Sequence, residues 1–335
     1  MTAVVEGKPA RPDRRHRATG PGSGPLGRVK NSYDQRWYAW AMCVPVVLVL
    51  SAVVAYPLVQ GIYLTFTDAT SQNVGRTIGV NHIPDTFSWV GLKNYAEVLT
   101  GANNQFWPHL VWTIVWTVAC VALTYAIGLA LAITLNRDLR ARSLYRLLLI
   151  LPWAVPTFVT IFGWRLILAD DGVVNQLLGL VGLPGPSWLS DPLAQKFAAI
   201  GVNIWCGVPF MMISMLGGLQ AIPRELHEAA EMDGATPWQR FVHVILPGLR
   251  PVSSTVILLG VIWTFNQFNV IFLLFGGNSD SVQILVTYAY RLFFGQQPQD
   301  YAGSATVGIL CLSILVVFTS VYRRWLKRND QGVLA

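Results

Sequence analysis

The sequence predicts an all-α membrane protein with six transmembrane helices. Charged residues make up only 12% of its 335 residues and hydrophobic residues 53%, whereas a soluble domain carries about 25% charged residues. Six stretches contain no Asp, Glu, Lys or Arg, and each can supply the roughly 20 apolar residues that cross a bilayer as a helix. Helices are expected because a span in hydrocarbon must satisfy its own backbone hydrogen bonds.

The charge-free stretches set the boundaries of a six-span domain over residues 37–325. The predicted spans cover about residues 38–66, 109–136, 146–169, 197–222, 252–276 and 302–322. Residues 1–36 are predicted to form a flexible basic tail, and residues 326–335 a second tail. Prolines inside the spans are expected to mark kinks; they are Pro45, Pro57, Pro152, Pro156 and Pro209.

Positive charges are distributed unevenly between the two sides of the predicted membrane domain. Most of the 24 Lys and Arg fall on the side that holds both termini, including Arg137 and Arg140 between the second and third spans. Because cytoplasmic loops carry an excess of Lys and Arg, both termini are predicted to be cytoplasmic, in a multi-pass protein of the plasma (inner) membrane. This topology accounts for the net charge of +7, and no nucleic-acid binding is predicted.

The sequence lacks the motifs of soluble enzymes and of metal sites. The pair Gly7-Lys8 belongs to no phosphate-binding loop, since Pro9 follows it. The segment from His227 to Glu231 differs from a zinc-protease helix because the second ligand would have to be His. No catalytic residue and no metal ligand is therefore predicted, and the four cysteines are expected to pack inside the spans.

The loop between the fourth and fifth spans, residues 223–250, is predicted to contain two short helices. Pro223 suits a first helical turn, and Gly234 suits the end of that helix. Thr236 and Gln239 form the pattern of a capping box that starts the second helix, and Pro247 is expected to end it. The residues alone leave two interpretations open: an amphipathic loop in the membrane interface, or an element that docks into a partner and transmits its movement.

The same loop resembles the E-A-A…G…I-x-L-P motif of importer permeases of the ATP-binding-cassette (ABC) superfamily. The matching residues are Glu228, Ala229, Ala230, Asp233, Gly234, Leu246 and Pro247, with Val244 where Ile is usual. The resemblance implies that the loop is a coupling element seated in a cleft of a separate ATPase. It also implies that ATP and Mg are used by that partner and that this chain holds no cofactor.

The wider resemblance, from about Tyr38 to Arg323, is to MalF-type subunits of maltose-type importers. It is carried by stretches such as residues 91–95, 145–152, 205–210 and 263–269. It implies a MalF-like (type I importer) bundle with several partners: a second, MalG-like permease, a dimer of ABC ATPase subunits, an extracytoplasmic sugar-binding protein and membrane lipid. Compared with the best-known MalF subunit, the chain begins at the equivalent of its third span, and its first external loop is too short for a large insertion.

Two groups of residues in the fourth and fifth spans are candidates for a sugar site. Asn203, Gly207 and Phe210 have the spacing of one helical face, and Phe265, Asn266 and Asn269 are predicted to share another. Amides can bond sugar hydroxyls and aromatic rings can cover the apolar face of a sugar ring, but the same residues also suit packing between helices.

The resemblance places these residues, with Cys206, at the sugar site of MalF-type subunits. Cys206 stands where the family has Leu and Phe210 where it has Tyr, so maltose, maltodextrin or a related di- or oligosaccharide is expected. The alternatives are a secondary sugar transporter, for which intramembrane charges or broken inverted repeats would be expected, and an ABC permease for a different glycoside.

Overall fold

The structure is a computed structural model that describes residues 25–79, 81–101, 105–137, 139–277 and 279–331. The predicted tail residues 1–24 and 332–335 lie outside the described residues. The chain divides into a first unit that ends at Val59 and a second that begins at Gln60. The described residues of both units are mainly helical.

The first unit contains a helix that begins earlier than the sequence analysis predicts. Helix α1 spans Pro25–Leu50, one π-helical turn follows at Ser51–Ala55, and α2 spans Tyr56–Leu64. The structure thus describes a helix from Pro25 onward, where the sequence analysis predicts a flexible tail up to residue 36. Once a long apolar helix has formed, each further residue adds a backbone hydrogen bond without the cost of nucleating a new helix. Pro57 has no amide hydrogen, and the helix widens into a π turn just before it.

The second unit contains a short hairpin and the remaining helices. The hairpin pairs β1 (Arg76–Ile78) with β2 (Asn81–Ile83) in antiparallel register, with Thr77 opposite His82. The helices are α3 (Lys93–Thr100), α4 (Phe106–Leu135), α5 (Arg142–Ala154), α6 (Thr157–Ile167), α7 (Val173–Leu180), α8 (Pro192–Gln220), α9 (Arg224–Met232), α10 (Pro237–Arg240), α11 (Leu246–Phe265), α12 (Phe268–Phe275), α13 (Leu285–Phe294) and α14 (Tyr301–Gln331). A π turn, Phe241–Ile245, joins α10 to α11, and a 3₁₀ turn, Asp280–Val282, precedes α13.

The described residues contain five helical segments long and apolar enough to cross a membrane, or six if one bent pair forms a single span. They are Trp40–Leu64, Phe106–Leu135, the pair Arg142–Ala154 and Thr157–Ile167, Pro192–Gln220, Pro237–Phe275 and Tyr301–Arg328. Each overlaps one predicted span. The last helix continues to Gln331, so the predicted tail from residue 326 is helical as far as the structure describes it.

The third span is sharply bent. Its two helices, α5 and α6, meet at 94°. Val155, between them, has extended backbone angles, as expected for the residue before a proline. Pro156 also has no amide hydrogen to give to the carbonyl of Pro152 four residues earlier, so the helix cannot continue regularly through this point.

The fifth span is interrupted at Asn266 and Gln267, between α11 and α12. Two carbonyls near this break accept hydrogen bonds from side chains. The Asn266 amide donates to the Ile262 carbonyl at 3.1 Å, and the Trp116 indole on α4 donates to the Thr264 carbonyl at 3.0 Å. Trp116 is fully buried, so the break is held from a neighbouring helix.

The beginning of the fifth span corrects the prediction that Pro247 ends a short second helix. The helical segment instead runs from Pro237 without a loop, through the π turn and α11. Pro247 lies in the first turn of α11, where the amide hydrogen that proline lacks is least needed. The predicted loop 223–250 therefore consists of α9, a glycine turn and the start of a long helix.

The core of the second unit lies between α4, α8 and α11. Met212 and Met215 of α8 and Leu249 of α11 are almost completely buried there. Gly128 of α4 permits close approach, because a Cβ atom at this position would lie 2.6 Å from Cβ of Met211. Small residues at helix crossings serve the same purpose in membrane bundles generally, where dispersion contacts drive association.

The loop that follows α2 is fixed to the end of that helix by residues 91–95. The Asn94 amide donates to the carbonyls of Thr65 at 2.8 Å and Thr67 at 2.7 Å. Earlier in the loop, the backbone amide and hydroxyl of Ser88 donate to Asp68, and these bonds hold the pKa of that carboxyl below its usual value. These hydrogen bonds hold the loop against the end of α2.

We expect Asn94→Ala to destabilise the protein by about 1–3 kcal/mol, because two carbonyls that leave a helix end would lose their donor. The measurement is thermal unfolding of the purified chain in detergent. Gln72→Ala is the matched control, since Gln72 is an exposed residue of the same loop. An Asn94→Ala midpoint equal to that of Gln72→Ala would show that these bonds contribute nothing.

Candidate functional site

A cavity of about 430 Å³ lies where α4, α8, α11 and the bend of the third span meet. Its lining residues are Val121, Thr124, Pro152, Trp153, Val155, Thr157, Thr160, Asn203, Cys206, Gly207, Phe210, Met211, Gly260, Ile262, Trp263, Thr264, Asn266 and Gln267. Both interrupted spans contribute their irregular residues, Val155 from the third and Asn266 and Gln267 from the fifth. The cavity is therefore walled by helix breaks on two sides.

Five of the seven predicted sugar-site residues line this cavity: Asn203, Cys206, Gly207, Phe210 and Asn266. The other two, Phe265 and Asn269, do not. The Phe265 ring is buried in a separate apolar cluster with Leu285 and Val307, and Asn269 is exposed elsewhere. The spacing argument for the fifth span assumed a continuous helix, whereas α11 ends at Phe265 and α12 begins at Phe268.

The predicted face of α8 is continuous and brings its polar and small residues together. Asn203 is 6% exposed, and its side chain interacts with the Cys120 thiol on α4. A Cβ atom on Gly207 would lie 3.0 Å from the Thr124 methyl group. The glycine therefore allows α8 to approach α4 at the cavity wall.

An aromatic wall in the cavity was not predicted. The ring of Phe210 lies between two indoles, with centroid distances of 6.3 Å to Trp153 and 4.9 Å to Trp263. Hydroxyl groups come from Thr157 and Thr160 on α6. The helical spacing of residues 153, 157 and 160 could not have predicted this wall, because α5 ends at Ala154 and α6 begins at Thr157 after a 94° bend.

The cavity combines polarity with the absence of formal charge. Of the described residues that line it, none is acidic or basic. Its polar groups are amides, threonine hydroxyls and one thiol, which donate and accept hydrogen bonds without a net charge. Such a lining suits a neutral, hydroxyl-rich ligand better than an ion, because a buried ion without a counter-charge is strongly disfavoured.

The loop between α8 and α11 has the caps that the sequence predicts. After α9, Gly234 adopts φ +72°, its amide bonds the Glu231 carbonyl, and the Ala235 amide bonds the Ala230 carbonyl. This pair of bonds is a Schellman motif. Thr236 and Gln239 form the predicted capping box at the start of α10.

An ion pair closes the turn between α9 and α10. The Arg240 guanidinium donates to the Glu231 carboxylate, which joins the last turn of α9 to the first turn of the next helix. Together with the two caps, this contact holds residues 224–240 as one folded element. The loop is therefore a folded element with a defined surface and not a flexible linker.

The residues predicted to contact an ATPase are distributed over this element. Glu228, Ala229, Asp233, Gly234 and Pro247 are exposed, and Ala230 is partly exposed. Leu246 is partly buried and packs with Val244 against the core near Leu249. The motif thus combines exposed residues on α9 with Leu246, which packs against the core at the start of α11.

Comparisons with known proteins agree with this arrangement. Residues 124–329 match the family described as "Binding-protein-dependent transport system inner membrane component". The chain is 31% identical over 304 residues to the maltodextrin transport system permease protein MdxF of Bacillus subtilis, covering 85% of this chain and 67% of that one. It is 34% identical over 248 residues to the trehalose/maltose transport system permease protein MalF of Thermococcus litoralis, covering 72% of this chain and 81% of that one.

A solved structure supports the fold. It is a crystal structure of a bacterial ABC transporter involved in the import of the acidic polysaccharide alginate, and one of its chains superposes with a TM-score of 0.72 at 22% identity. The superposition covers 89% of this chain and 99% of that chain. At this identity, the match establishes the all-α membrane fold.

We expect Gly234→Ala to loosen the turn between α9 and α10. A Cβ atom at this position meets open space, so the effect comes only from the left-handed backbone, which disfavours a side chain by about 1–2 kcal/mol. Hydrogen exchange of the amides in residues 224–245 should rise about 5- to 30-fold. The control is Gly217→Ala, at an equally open position in α8 that lacks positive φ. Unchanged exchange in Gly234→Ala would contradict the assigned role of this turn.

Proposed function

The chain belongs to the family of binding-protein-dependent transport system inner membrane components and is the permease subunit of an ABC sugar importer. On this basis, we propose that it carries neutral di- or oligosaccharides of the maltose type. The observation that supports this substrate class is the cavity lining. Amides and hydroxyls can bond sugar hydroxyls, and the three aromatic rings can cover the apolar face of a sugar ring.

The size and position of the cavity agree with this proposal. Its volume of about 430 Å³ falls within the range of pockets that hold small ligands. It lies beside the breaks of two spans, and non-helical backbone at membrane depth is tolerated where it lines a water-filled or ligand-filled space. The printed names of the two permease relatives refer to maltodextrin and to trehalose/maltose, and we carry that substrate class over to this chain.

Energy for transport is proposed to come from partner subunits. A dimer of ABC ATPases would bind the loop built from α9 and α10 on the cytoplasmic side, where both termini also lie. A second, MalG-like permease would complete the pathway, and an extracytoplasmic sugar-binding protein would deliver the sugar to the opposite face. This chain then contributes binding and movement, while the ATPase subunits hydrolyse ATP.

The fifth span offers a direct mechanical link between the two sites. A continuous helical segment runs from Pro237, in the coupling loop, to Phe265, directly before the break at the cavity. At roughly 1.5 Å per residue this segment is about 40 Å long. A displacement of the loop by an ATPase would therefore move Trp263 and Asn266 relative to α8. This movement would close the cavity to one side of the membrane and open it to the other.

We expect the complex purified from its native membrane with mild detergent to contain an ABC ATPase and a second permease, identified by mass spectrometry. Reconstituted with its binding protein, it should take up a neutral maltodextrin and not an oligosaccharide of uronic acids. Uptake of the acidic sugar at an equal rate would contradict the assignment of a neutral substrate. Recovery of the chain alone, under conditions that preserve other such complexes, would contradict the ABC assignment.

We expect Glu228→Ala to abolish sugar uptake while the spans remain inserted, because the variant removes an exposed carboxylate from the centre of the coupling surface. ATP-dependent uptake into proteoliposomes is the measurement, and Glu225→Ala is the control because it alters an exposed carboxylate in the first turn of the same helix. Uptake by Glu228→Ala at the wild-type rate would show that the loop does not couple to ATP hydrolysis.

A further inference from the structure

We propose that the helical bundle holds an anionic phospholipid, with one acyl chain in an apolar groove beside α5 and the phosphate on the Arg146 guanidinium. Two separate features of the second unit carry the proposal: the groove itself, and the buried guanidinium next to one end of it. Such a lipid site is independent of the transported substrate.

The apolar groove has a volume of about 460 Å³, and α4, α5, α6 and α8 supply most of its wall. Every described residue that lines it is apolar or aromatic. Leu148 and Trp205 in this wall are 56% and 49% exposed, so the groove opens on the surface of the bundle. Water is a poor occupant, because a buried water needs about two to four polar partners. The groove is therefore suited to apolar material.

The size of the groove favours an acyl chain over a helix of another subunit. A helix about 10 Å across occupies roughly 420 Å³ for each 5.4 Å turn, so the groove would hold little more than one turn. A spanning helix has about five or six turns. An acyl chain is slender enough to enter the groove lengthwise.

The Arg146 side chain lacks a partner within the chain. Its Nε and Nη2 atoms are buried and have no hydrogen-bond acceptor among the described residues. Residues 105–137 and 139–169 contain no Asp or Glu, and Asp138 lies outside the described residues. Because a buried ion without a counter-charge is strongly disfavoured, this guanidinium is suited to an anion from outside the chain. A phosphate fits well, since the planar guanidinium can bond two of its oxygens.

Arg146 lies directly beside one end of the apolar groove. It precedes Leu149 by three residues on α5, so the two side chains share a helix face, and Leu149 lines the groove. Side chains on a helix lean toward its N-terminus, so the guanidinium extends away from the groove toward the start of α5. A headgroup at Arg146 and a chain along Leu149 thus have the arrangement of one phospholipid.

The surrounding charge favours an anionic lipid over a zwitterionic one. Arg137, Arg140 and Arg142 lie in the connection between α4 and α5 or at the start of α5. Basic residues next to a span attract anionic headgroups, and basic pockets between spans are typical sites for them. The acyl chain gives the groove its occupant, and the phosphate gives Arg146 its counter-charge.

The test uses the complex purified from its native membrane and reconstituted with equal amounts of phosphatidylglycerol and phosphatidylcholine. After a detergent wash, native mass spectrometry counts the lipids that remain on each copy of this chain. We expect one phosphatidylglycerol to remain in preference to phosphatidylcholine, and Arg146→Gln to lower its retention about tenfold, because charged hydrogen bonds to the phosphate are lost. Arg140→Gln is the matched control, since Arg140 is exposed, and it should retain the lipid.

A second variant tests the groove. Gly201 lines it, and a Cβ atom there meets open space, so Gly201→Leu fills the groove without a clash and suits a helix. We expect it to lower phosphatidylglycerol retention about tenfold as well. Gly217→Leu is its control, at an equally open position of α8 outside the groove. If Gly201→Leu assembles poorly, Leu148→Trp replaces it, because Leu148 is an exposed residue of the same wall.

Three results would overturn the lipid site. The first is equal retention of the two lipids by the wild type, or full retention by Arg146→Gln. The second is a loss of lipid in Arg146→Gln but not in the groove variants, which would indicate a phosphate bound without its acyl chain. The third is release of the second permease by the groove variants with lipid unchanged, which would indicate a protein helix at the groove. Each is measured without sugar, so the proposed function stands or falls separately in the uptake assay.

Discussion

The structure depends on one constraint, which is that hydrocarbon offers no hydrogen-bond partner to the peptide backbone. A span must therefore be helical, except where protein, water or ligand supplies the missing partners. In the described part of the chain, the third and fifth spans are interrupted between helices at residues 155–156 and 266–267, and both interruptions line the same cavity. Their positions follow from the constraint: irregular backbone is confined to the place where polar groups can be satisfied.

The same constraint explains how the cavity is supported. The break in the fifth span is held by the Trp116 indole and the Asn266 amide, which bond carbonyls that a regular helix would bond itself. The rest of that span is a helical segment that begins at Pro237, directly after the turn that follows α9. A stiff helical segment that ends at a break is the kind of element through which a distant site can act.

The sequence predicted those features that depend on local chemistry. Span positions followed from missing charges, the Gly234 turn and the Thr236 cap from side-chain chemistry, and the α8 face from an uninterrupted helical period. Phe265 and Asn269, which the sequence analysis grouped with Asn266, do not line the cavity. No proline marks the break between α11 and α12, where the Trp116 indole bonds the Thr264 carbonyl. Pro247 was misread as a stop because proline is equally suited to the first turn of a helix. Trp153 was missed because the bend at Pro156 was treated only as a kink.

The absence of charge from the lining gives the cavity a basis for selection. A neutral sugar bound there would exchange hydrogen bonds with water for hydrogen bonds with amides and hydroxyls, and the aromatic wall would cover its apolar face. A carboxylate in the same place would lose its hydration and find no cationic partner among the lining residues, which is strongly unfavourable in a site of low dielectric. Discrimination between neutral and acidic sugars thus needs no dedicated repulsive group. It follows from the same hydrocarbon surroundings that determine where the helices are allowed to break.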